Sequence, residues 1–466
     1  MKTNMNQPRD FDPQRRALLG CAATMPALGL LGGLAGCGGG DGGDRVALPQ
    51  IQGFEASGGN AVFVGDAAVL TPVFSAGAGR IEPGIGAVSS GVPVSTPALA
   101  RDTRYTLIVE ASGQPAARRE LVIEVRYRDR YTPLEPAFAL QYHAAVACDD
   151  GSALLIGGSR GGSTTSDAVD RYDPATQRFT RIGQLASGRD SHTATRLADG
   201  RVLVVGGNVA LSGAPLAELV DPRDGSVRAA GPLQRFRYRH AVVALADGRA
   251  LVVGGLNRDS VELFDPHSGS FRLVAARMAH VREFPSATLL ADGRVLICGG
   301  YHIAAQNRFA EIFDPASESF KPVAGGPDLR LQMHAAHRLA DGRALVLGGE
   351  VYANQDTELA LQDGVLLFDP TTDSLSTQAP LAEPRSLQRS ALLPDGRVLM
   401  FGGQTIADAA SRSVAAYRMG SGSEALAAMP AARSWHSVTP LGTGQLLIAG
   451  GEAADGSPVT RAYLYD

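Results

Sequence analysis

The stretch that decides the fold is His192-Thr-Ala-Thr-Arg-Leu-Ala-Asp-Gly-Arg-Val-Leu-Val-Val-Gly-Gly207. It predicts two strands joined by a tight turn, because Asp199-Gly200 supplies the positive φ that a short hairpin needs. The apolar run from Val202 to Val205 predicts a strand that is buried on both faces. The pair Gly206-Gly207 then ends this strand at a point where a side chain would not fit.

This unit recurs along the rest of the chain. Paired glycines begin at Gly157, Gly206, Gly254, Gly299, Gly348, Gly402 and Gly450, and successive starts lie 45 to 54 residues apart. A fixed period of this length is typical of repeat architectures. The sequence therefore predicts seven copies of one supersecondary unit.

Two further strands complete each unit. The third ends in an aromatic-Asp-Pro turn, as in Tyr172-Asp-Pro174 and Phe264-Asp-Pro266, and the fourth carries a large apolar residue six positions after the Asp. Those apolar residues are Phe179, Val227, Phe271, Phe320 and Leu375. Four strands and a double glycine per period resemble the kelch β-propeller. The resemblance covers residues 128–466 and implies an all-β, seven-bladed ring.

The last unit ends at Tyr463-Leu-Tyr-Asp466 and lacks a fourth strand. The segment Arg130-Tyr-Thr-Pro-Leu134 is predicted to supply it, so that an N-terminal strand closes the ring.

Residues 48–127 differ from the repeats. Short alternating runs such as Thr103–Glu110 and Glu120–Val125 are separated by Gly, Ser and Pro turns. Their spacing predicts a small β-sandwich, and the segment resembles bacterial immunoglobulin-like modules. We expect it to act as a spacer.

Residues 1–36 are predicted to be a targeting segment. Arg15-Arg16 precede a modestly apolar run, and Leu34-Ala35-Gly36-Cys37 matches the bacterial lipobox. The sequence therefore predicts a lipoprotein signal peptide, lipidation of Cys37 and a Gly-rich tether over residues 37–47. The paired arginines resemble a twin-arginine export signal; Sec export stays open as the alternative. Gly38 after the cysteine favours the outer membrane in a Gram-negative host, facing the periplasm or the cell surface.

Charge and cysteines exclude several functions. The net charge is −4, without a long basic run, so nucleic acid is not expected as a partner. Cys148 and Cys298 fall in the first and fourth repeats, which are not neighbours in a seven-membered ring, so no disulfide is expected. Paired-Cys metal spacings are absent from the sequence, and no metal or cofactor is predicted.

A histidine recurs at one equivalent position. Fourteen residues before the first glycine of each pair stand His143, His192, His240, Pro285, His334, Gln388 and His436. Spread around a ring, such residues are too far apart to share one metal ion at ~2 Å. A repeated structural hydrogen bond is the favoured interpretation.

Arginines and aromatic residues recur near the same end of the innermost strands. Arg189, Arg237, Arg282, Arg385 and Arg433 lie three residues before the recurrent position, and Tyr142, Tyr238, Tyr301 and Trp435 lie close by. The guanidinium groups are expected either to bind a carboxylate or sulfate at the channel mouth or to brace their own blades. The aromatic rings are candidates for stacking on sugars or for packing. These residues form the predicted binding face.

The same fold suggests an enzyme alternative. Tyr142-His143 resembles the Tyr-His ligand pair of copper-radical oxidases of the galactose oxidase and glyoxal oxidase type. That resemblance lacks the cysteine that those enzymes cross-link to a second tyrosine, and their final histidine from a domain after the propeller. The favoured function is therefore a lipid-anchored, exported, non-catalytic scaffold that binds a glycan, a peptide or a protein; a copper-radical or other carbohydrate-active enzyme is the alternative.

Overall fold

The computed structural model describes residues 47–135, 139–161, 164–210, 216–301, 309–327, 330–353 and 358–466. The chain divides into two compact units, residues 1–47 and 48–466. The predictions for the signal peptide, for Cys37 and for nearly all of the tether therefore lie outside the described residues. In the described part, no helix is long and apolar enough to cross a membrane.

Residues 50–126 form a sandwich of two sheets, a three-stranded sheet of order β1-β3-β6 and a five-stranded sheet of order β2-β8-β7-β4-β5. Its strands are β1 (Gln50–Ala56), β2 (Ala61–Phe63), β3 (Val69–Ser75), β4 (Ala78–Glu82), β5 (Gly86–Val88), β6 (Val94–Ser95), β7 (Thr103–Glu110) and β8 (Ala117–Arg126). Alternate residues of the longer strands fill one shared core, which includes Phe54, Leu107 and Ile123. Period-two alternation thus buries one face of each sheet.

The remaining strands form seven four-stranded antiparallel sheets, the blades, and three short ribbons. The first half comprises β9 (Tyr131–Pro133), β10 (Ala144–Ala147), β11 (Ala153–Ile156), β12 (Ala168–Asp173), β13 (Arg178–Gln184), β14 (Arg189–Asp190), β15 (Thr193–Arg196), β16 (Val202–Val205), β17 (Asn208–Val209), β18 (Ala217–Val220), β19 (Val227–Ala229), β20 (Ala241–Ala244), β21 (Ala250–Val253), β22 (Val261–Asp265) and β23 (Ser270–Leu273).

The second half continues the same pattern. It comprises β24 (Ser286–Leu289), β25 (Val295–Cys298), β26 (Ala310–Asp314), β27 (Ser319–Pro322), β28 (Ala335–Arg338), β29 (Ala344–Leu347), β30 (Glu350–Ala353), β31 (Glu358–Leu361), β32 (Val365–Asp369), β33 (Ser374–Thr377), β34 (Arg385–Ser386), β35 (Arg389–Leu392), β36 (Val398–Phe401), β37 (Gln404–Thr405), β38 (Val414–Arg418), β39 (Gly422–Leu426), β40 (Ser437–Pro440), β41 (Leu446–Ala449) and β42 (Tyr463–Tyr465).

The blades follow one another around a closed ring. Their strand orders are β10-β11-β12-β13, β15-β16-β18-β19, β20-β21-β22-β23, β24-β25-β26-β27, β28-β29-β32-β33, β35-β36-β38-β39 and β40-β41-β42-β9. The innermost strand of each blade contacts those of the next and the previous blade, and β10 contacts β40. These seven strands therefore line a central channel, and the chain is an all-β protein with a propeller.

The second strand of every blade is fully buried, as the apolar runs predict. Its two faces pack against the neighbouring blades, so that each interface is a separate apolar cluster. Between the third and fourth strands, aromatic pairs stack across the register, with ring centroids 4.7 Å apart for Phe264 and Phe271. These pairs anchor the outer edge of the blades.

The last blade takes its fourth strand from the N-terminal side of the propeller. β9 pairs antiparallel with β42, and Thr132 lies opposite Leu464. Asp466, which is buried, accepts ion pairs from Arg128 and Arg130 at 2.9 Å. Because these contacts join residues more than 330 positions apart, β9 completes the blade without leaving an open sheet edge.

Candidate functional site

The recurrent histidines lie between blades. Nε2 of His143 lies 2.8 Å from Oγ of Ser437, that of His240 lies 3.0 Å from Oγ1 of Thr193, and that of His334 lies 2.8 Å from Oγ of Ser286. In each case the hydroxyl belongs to the innermost strand of the preceding blade. Burial lowers the pKa of His143 and His240 to about 3, so the imidazoles stay neutral. The histidines therefore join neighbouring blades.

The five predicted arginines are also inside the blades. Their side chains are 0 to 2% exposed, and four of them donate from Nη1 to the carbonyl oxygen of the first glycine of their own blade's pair. For Arg237 and Gly254 this distance is 2.6 Å. These contacts correct the expectation that the guanidinium groups face a ligand. They fit the alternative interpretation, in which each arginine braces its own blade.

A glutamate on the third strand balances this buried charge in three consecutive blades. The ion pairs are Arg189–Glu218 at 2.6 Å, Arg237–Glu262 at 3.0 Å and Arg282–Glu311 at 2.8 Å. The carboxylates also accept backbone amides from the incoming loop, as Glu262 does from Gln234 at 2.8 Å. A buried pair with its remaining positions hydrogen-bonded is the arrangement that offsets desolvation.

The fifth blade replaces this pair by two leucines. Leu331 stands near the arginine position and Leu366 at the glutamate position, and both lie in one apolar cluster. In the seventh blade, Tyr463 occupies the glutamate position and its ring lies 5.3 Å below the guanidinium carbon of Arg433. The partners thus change together, which is expected of residues that serve packing.

The residue that directly precedes each recurrent position has a positive φ. These seven residues, called here the mouth residues, are Tyr142, Ser191, Arg239, Phe284, Met333, Leu387 and Trp435, with φ between 53° and 57°. Non-glycine residues adopt this left-handed conformation uncommonly. Because all seven share it, the backbone turn belongs to the blade, whereas the side chain on it is free to differ.

These turns place large side chains over the channel. The rings of Trp435 and Phe284 have centroids 6.4 Å apart, although their blades are three positions apart around the ring. Trp435 also contacts Tyr142, at 5.0 Å. The three aromatic residues are half-buried and narrow this end of the channel, the mouth.

Charged groups orient the aromatic cluster. Arg239, of whose side chain 42% is exposed, lies 5.0 Å over the Phe284 ring and 5.2 Å over the Tyr238 ring, and pairs with Glu283 at 3.1 Å. The hydroxyl of Tyr142 donates to Glu452 at 2.5 Å. Cation–π contacts and hydrogen bonds therefore hold the rings in fixed orientations while leaving faces open to water.

The other predicted aromatic residues lie beside this cluster. Tyr238 contacts both Arg239 and Phe236, whose ring centroid is 5.9 Å away and which is 45% exposed. Tyr301 pairs through its backbone with Glu283. The structure thus brings Tyr142, Tyr238, Tyr301 and Trp435 to one end of the ring, together with Arg239 and Phe284, which the sequence analysis missed.

The copper-radical interpretation was tested against the residues present. His143 is committed to Ser437 of the next blade, and Tyr142 to Glu452. Cys148 and Cys298 are free and buried, and burial raises the pKa of Cys298 to about 12. Over the described ranges, no three His, Cys, Asp or Glu side chains are grouped as metal ligands. These residues do not fit a copper-radical site.

Comparisons with known proteins agree on the fold. Residues 142–185 match the kelch motif. No curated protein matches the sequence. Similar solved structures include a fungal alcohol oxidase of the AA5 family in complex with copper, with 14% identity, a TM-score of 0.60, and coverage of 72% of this chain and 76% of that chain. Another is YjhT, with 15% identity, a TM-score of 0.44, and coverage of 70% and 94%. At 14% identity the oxidase shows a shared fold, and the propeller is of the kelch type.

Removing one partner of a buried Arg–Glu pair should destabilise the protein, whereas copying the fifth blade should not. Arg237→Leu leaves Glu262 buried and unpaired, and we expect a loss of about 3–5 kcal/mol in the free energy of unfolding. The double variant Arg237→Leu, Glu262→Leu should recover most of that loss. Urea unfolding measures both, and an equal loss in the single and double variants would contradict the bracing role.

Proposed function

We propose that the chain is a non-catalytic binding protein whose propeller mouth binds a glycan. The observation that carries the proposal is the cluster of Tyr142, Phe284 and Trp435 over the channel, with Arg239 stacked on its edge. Aromatic faces offer a flat apolar surface, and neighbouring charged groups offer hydrogen bonds at fixed positions. This combination suits a sugar ring, which has an apolar face and polar edges.

The cluster is held in place before any ligand binds. Tyr142 is oriented by Glu452, and Arg239 by Glu283, and each of these carboxylates sits on a backbone bridge that extends a blade hairpin. Fixed side chains lose little conformational entropy on binding. The same pairing engages both carboxylates in structural contacts, which favours binding over acid–base catalysis.

A polypeptide partner is the second candidate. Among the described residues of the propeller, three large hydrophobic side chains are exposed: Phe236 at 45%, Leu359 at 43% and Ile406 at 80%. Phe236 adjoins the arginine position, whereas Leu359 and Ile406 follow double-glycine pairs, so all three lie in loops at the mouth end of the blades. Exposed apolar residues that share one face favour contact with a peptide or protein.

Weakening the mouth cluster should reduce ligand affinity without unfolding the protein. We expect Arg239→Ala and Phe236→Ala each to weaken binding to the best glycan from an array by tenfold or more, because each removes a cation–π or stacking contact at the rim. Titration calorimetry measures the affinity.

Matched controls lie away from the mouth. Arg223→Ala removes an exposed arginine that pairs with Asp221 at 2.7 Å, and Val122→Ala trims an exposed hydrophobic residue of the sandwich. If glycan binding survives both mouth variants, the proposal is wrong. If no glycan binds but a peptide does, and Phe236→Ala weakens it, the second candidate holds.

We further propose that residues 1–36 export the protein and that lipid on Cys37 anchors it in the bacterial cell envelope. The lipobox and the Gly-rich residues 37–47 support this. In a bacterial host, Cys37→Ser should abolish incorporation of labelled palmitate and release the protein from the membrane fraction, since an acyl chain provides the affinity. Cys148→Ser is the control, because Cys148 is buried. Label retained in Cys37→Ser would refute the anchor.

A further inference from the structure

One charged side chain in the channel has no carboxylate partner. Arg389 is the first residue of β35 and lies opposite Phe401, directly before the glycine pair of its blade. By the same register, the equivalent residues of the other six blades are small: Ala144, Thr193, Ala241, Ser286, Ala335 and Ser437. Blade six thus places a guanidinium where every other blade has a methyl or hydroxyl group.

The surroundings of Arg389 identify its location. The residue is exposed to water, yet protein surrounds it closely enough that desolvation lowers its pKa, and that shift has no acidic contribution. Exposure and desolvation coincide when a side chain lies in a water-filled channel. Its Nε donates to the carbonyl oxygen of His436, on the next blade, at 2.8 Å.

Most of the guanidinium is left without a protein acceptor. Within the described part of the chain, Nη1 and Nη2 of Arg389 make no hydrogen bond or ion pair with protein. A guanidinium has five N–H donors in a planar fork, and only one is used. An enclosed cation without a partner is costly, so a counter-charge at this position would be stabilising.

The channel wall adds no negative charge. The seven innermost strands contain three arginines, one histidine and no Asp or Glu. The nearby His143 and His436 are held neutral by burial, so they do not compete for an anion or repel Arg389. Low-dielectric walls around a single sign of charge concentrate counter-ions.

We propose that the central channel is a binding site for a small oxyanion, a carboxylate or phosphate held by the fork of Arg389. The ligand must be small, because the Trp435 and Phe284 rings narrow the mouth. Planar oxyanions accept two parallel N–H bonds from a guanidinium, which favours them over chloride. The site does not depend on any ligand of the mouth.

Thermal unfolding at constant ionic strength tests the site. For the full chain, replacing sodium chloride by sodium acetate or sodium phosphate should raise the midpoint by about 2 °C, because an anion that binds only the folded state stabilises it. Arg389→Ser, which carries the residue found in two other blades, should lose this shift. Arg389→Lys should retain only part of it, because an ammonium lacks the fork.

A purely structural role would give a different result. If Arg389 served only to bind the His436 carbonyl, Arg389→Ser would lower the midpoint equally in chloride, acetate and phosphate. A wild-type midpoint that does not respond to the identity of the anion, or a shift that persists in Arg389→Ser, would overturn the proposal. Arg196→Gln, an inner-strand arginine paired with Asp149, is the control and should keep the wild-type shift.

Discussion

The propeller depends on the close approach of each double glycine to the next blade. A Cβ added to Gly206 would lie 2.2 Å from the carbonyl oxygen of Arg237 and 2.8 Å from the ring of His240. This contact sets the distance between blades two and three, and equivalent glycines make it around the ring. The histidine then reaches the previous blade, while the carbonyl of the glycine accepts the buried arginine of its own blade.

That arrangement divides structural from variable positions within each repeat. The glycine pair, the histidine and the arginine are engaged inside or between blades, so they recur. One residue before the histidine, the backbone turns with positive φ in all seven blades, and the side chain there is Tyr, Ser, Arg, Phe, Met, Leu or Trp. The scaffold therefore presents seven independently chosen side chains around one mouth, which is what a binding surface on a rigid ring needs.

The sequence predicted strands and repeats well because each follows from a local pattern. Val202–Val205 and the glycine pair specify a buried strand and its end without reference to distant residues. The direction of Arg237 could not be predicted in the same way, since its partner Glu262 is 25 residues away on another strand. The joint replacement by Leu331 and Leu366 was the signal that could have revealed it. Arg239 and Phe284 were missed because recurrence of residue type was sought, whereas the mouth residues share only a backbone conformation. Arg389 was overlooked for a related reason, as it departs from the repeat.

The most direct test of this account compares the thermodynamic stability of Gly206→Ala and Gly248→Ala. Both glycines have a positive φ, +64° and +89°, so both substitutions carry backbone strain, but a Cβ on Gly248 meets nothing within 4 Å. The account predicts that Gly206→Ala loses about 1–3 kcal/mol more of the free energy of unfolding than Gly248→Ala, through overpacking against Arg237 and His240. Equal losses in urea unfolding would contradict the claim that the blades are positioned by this contact.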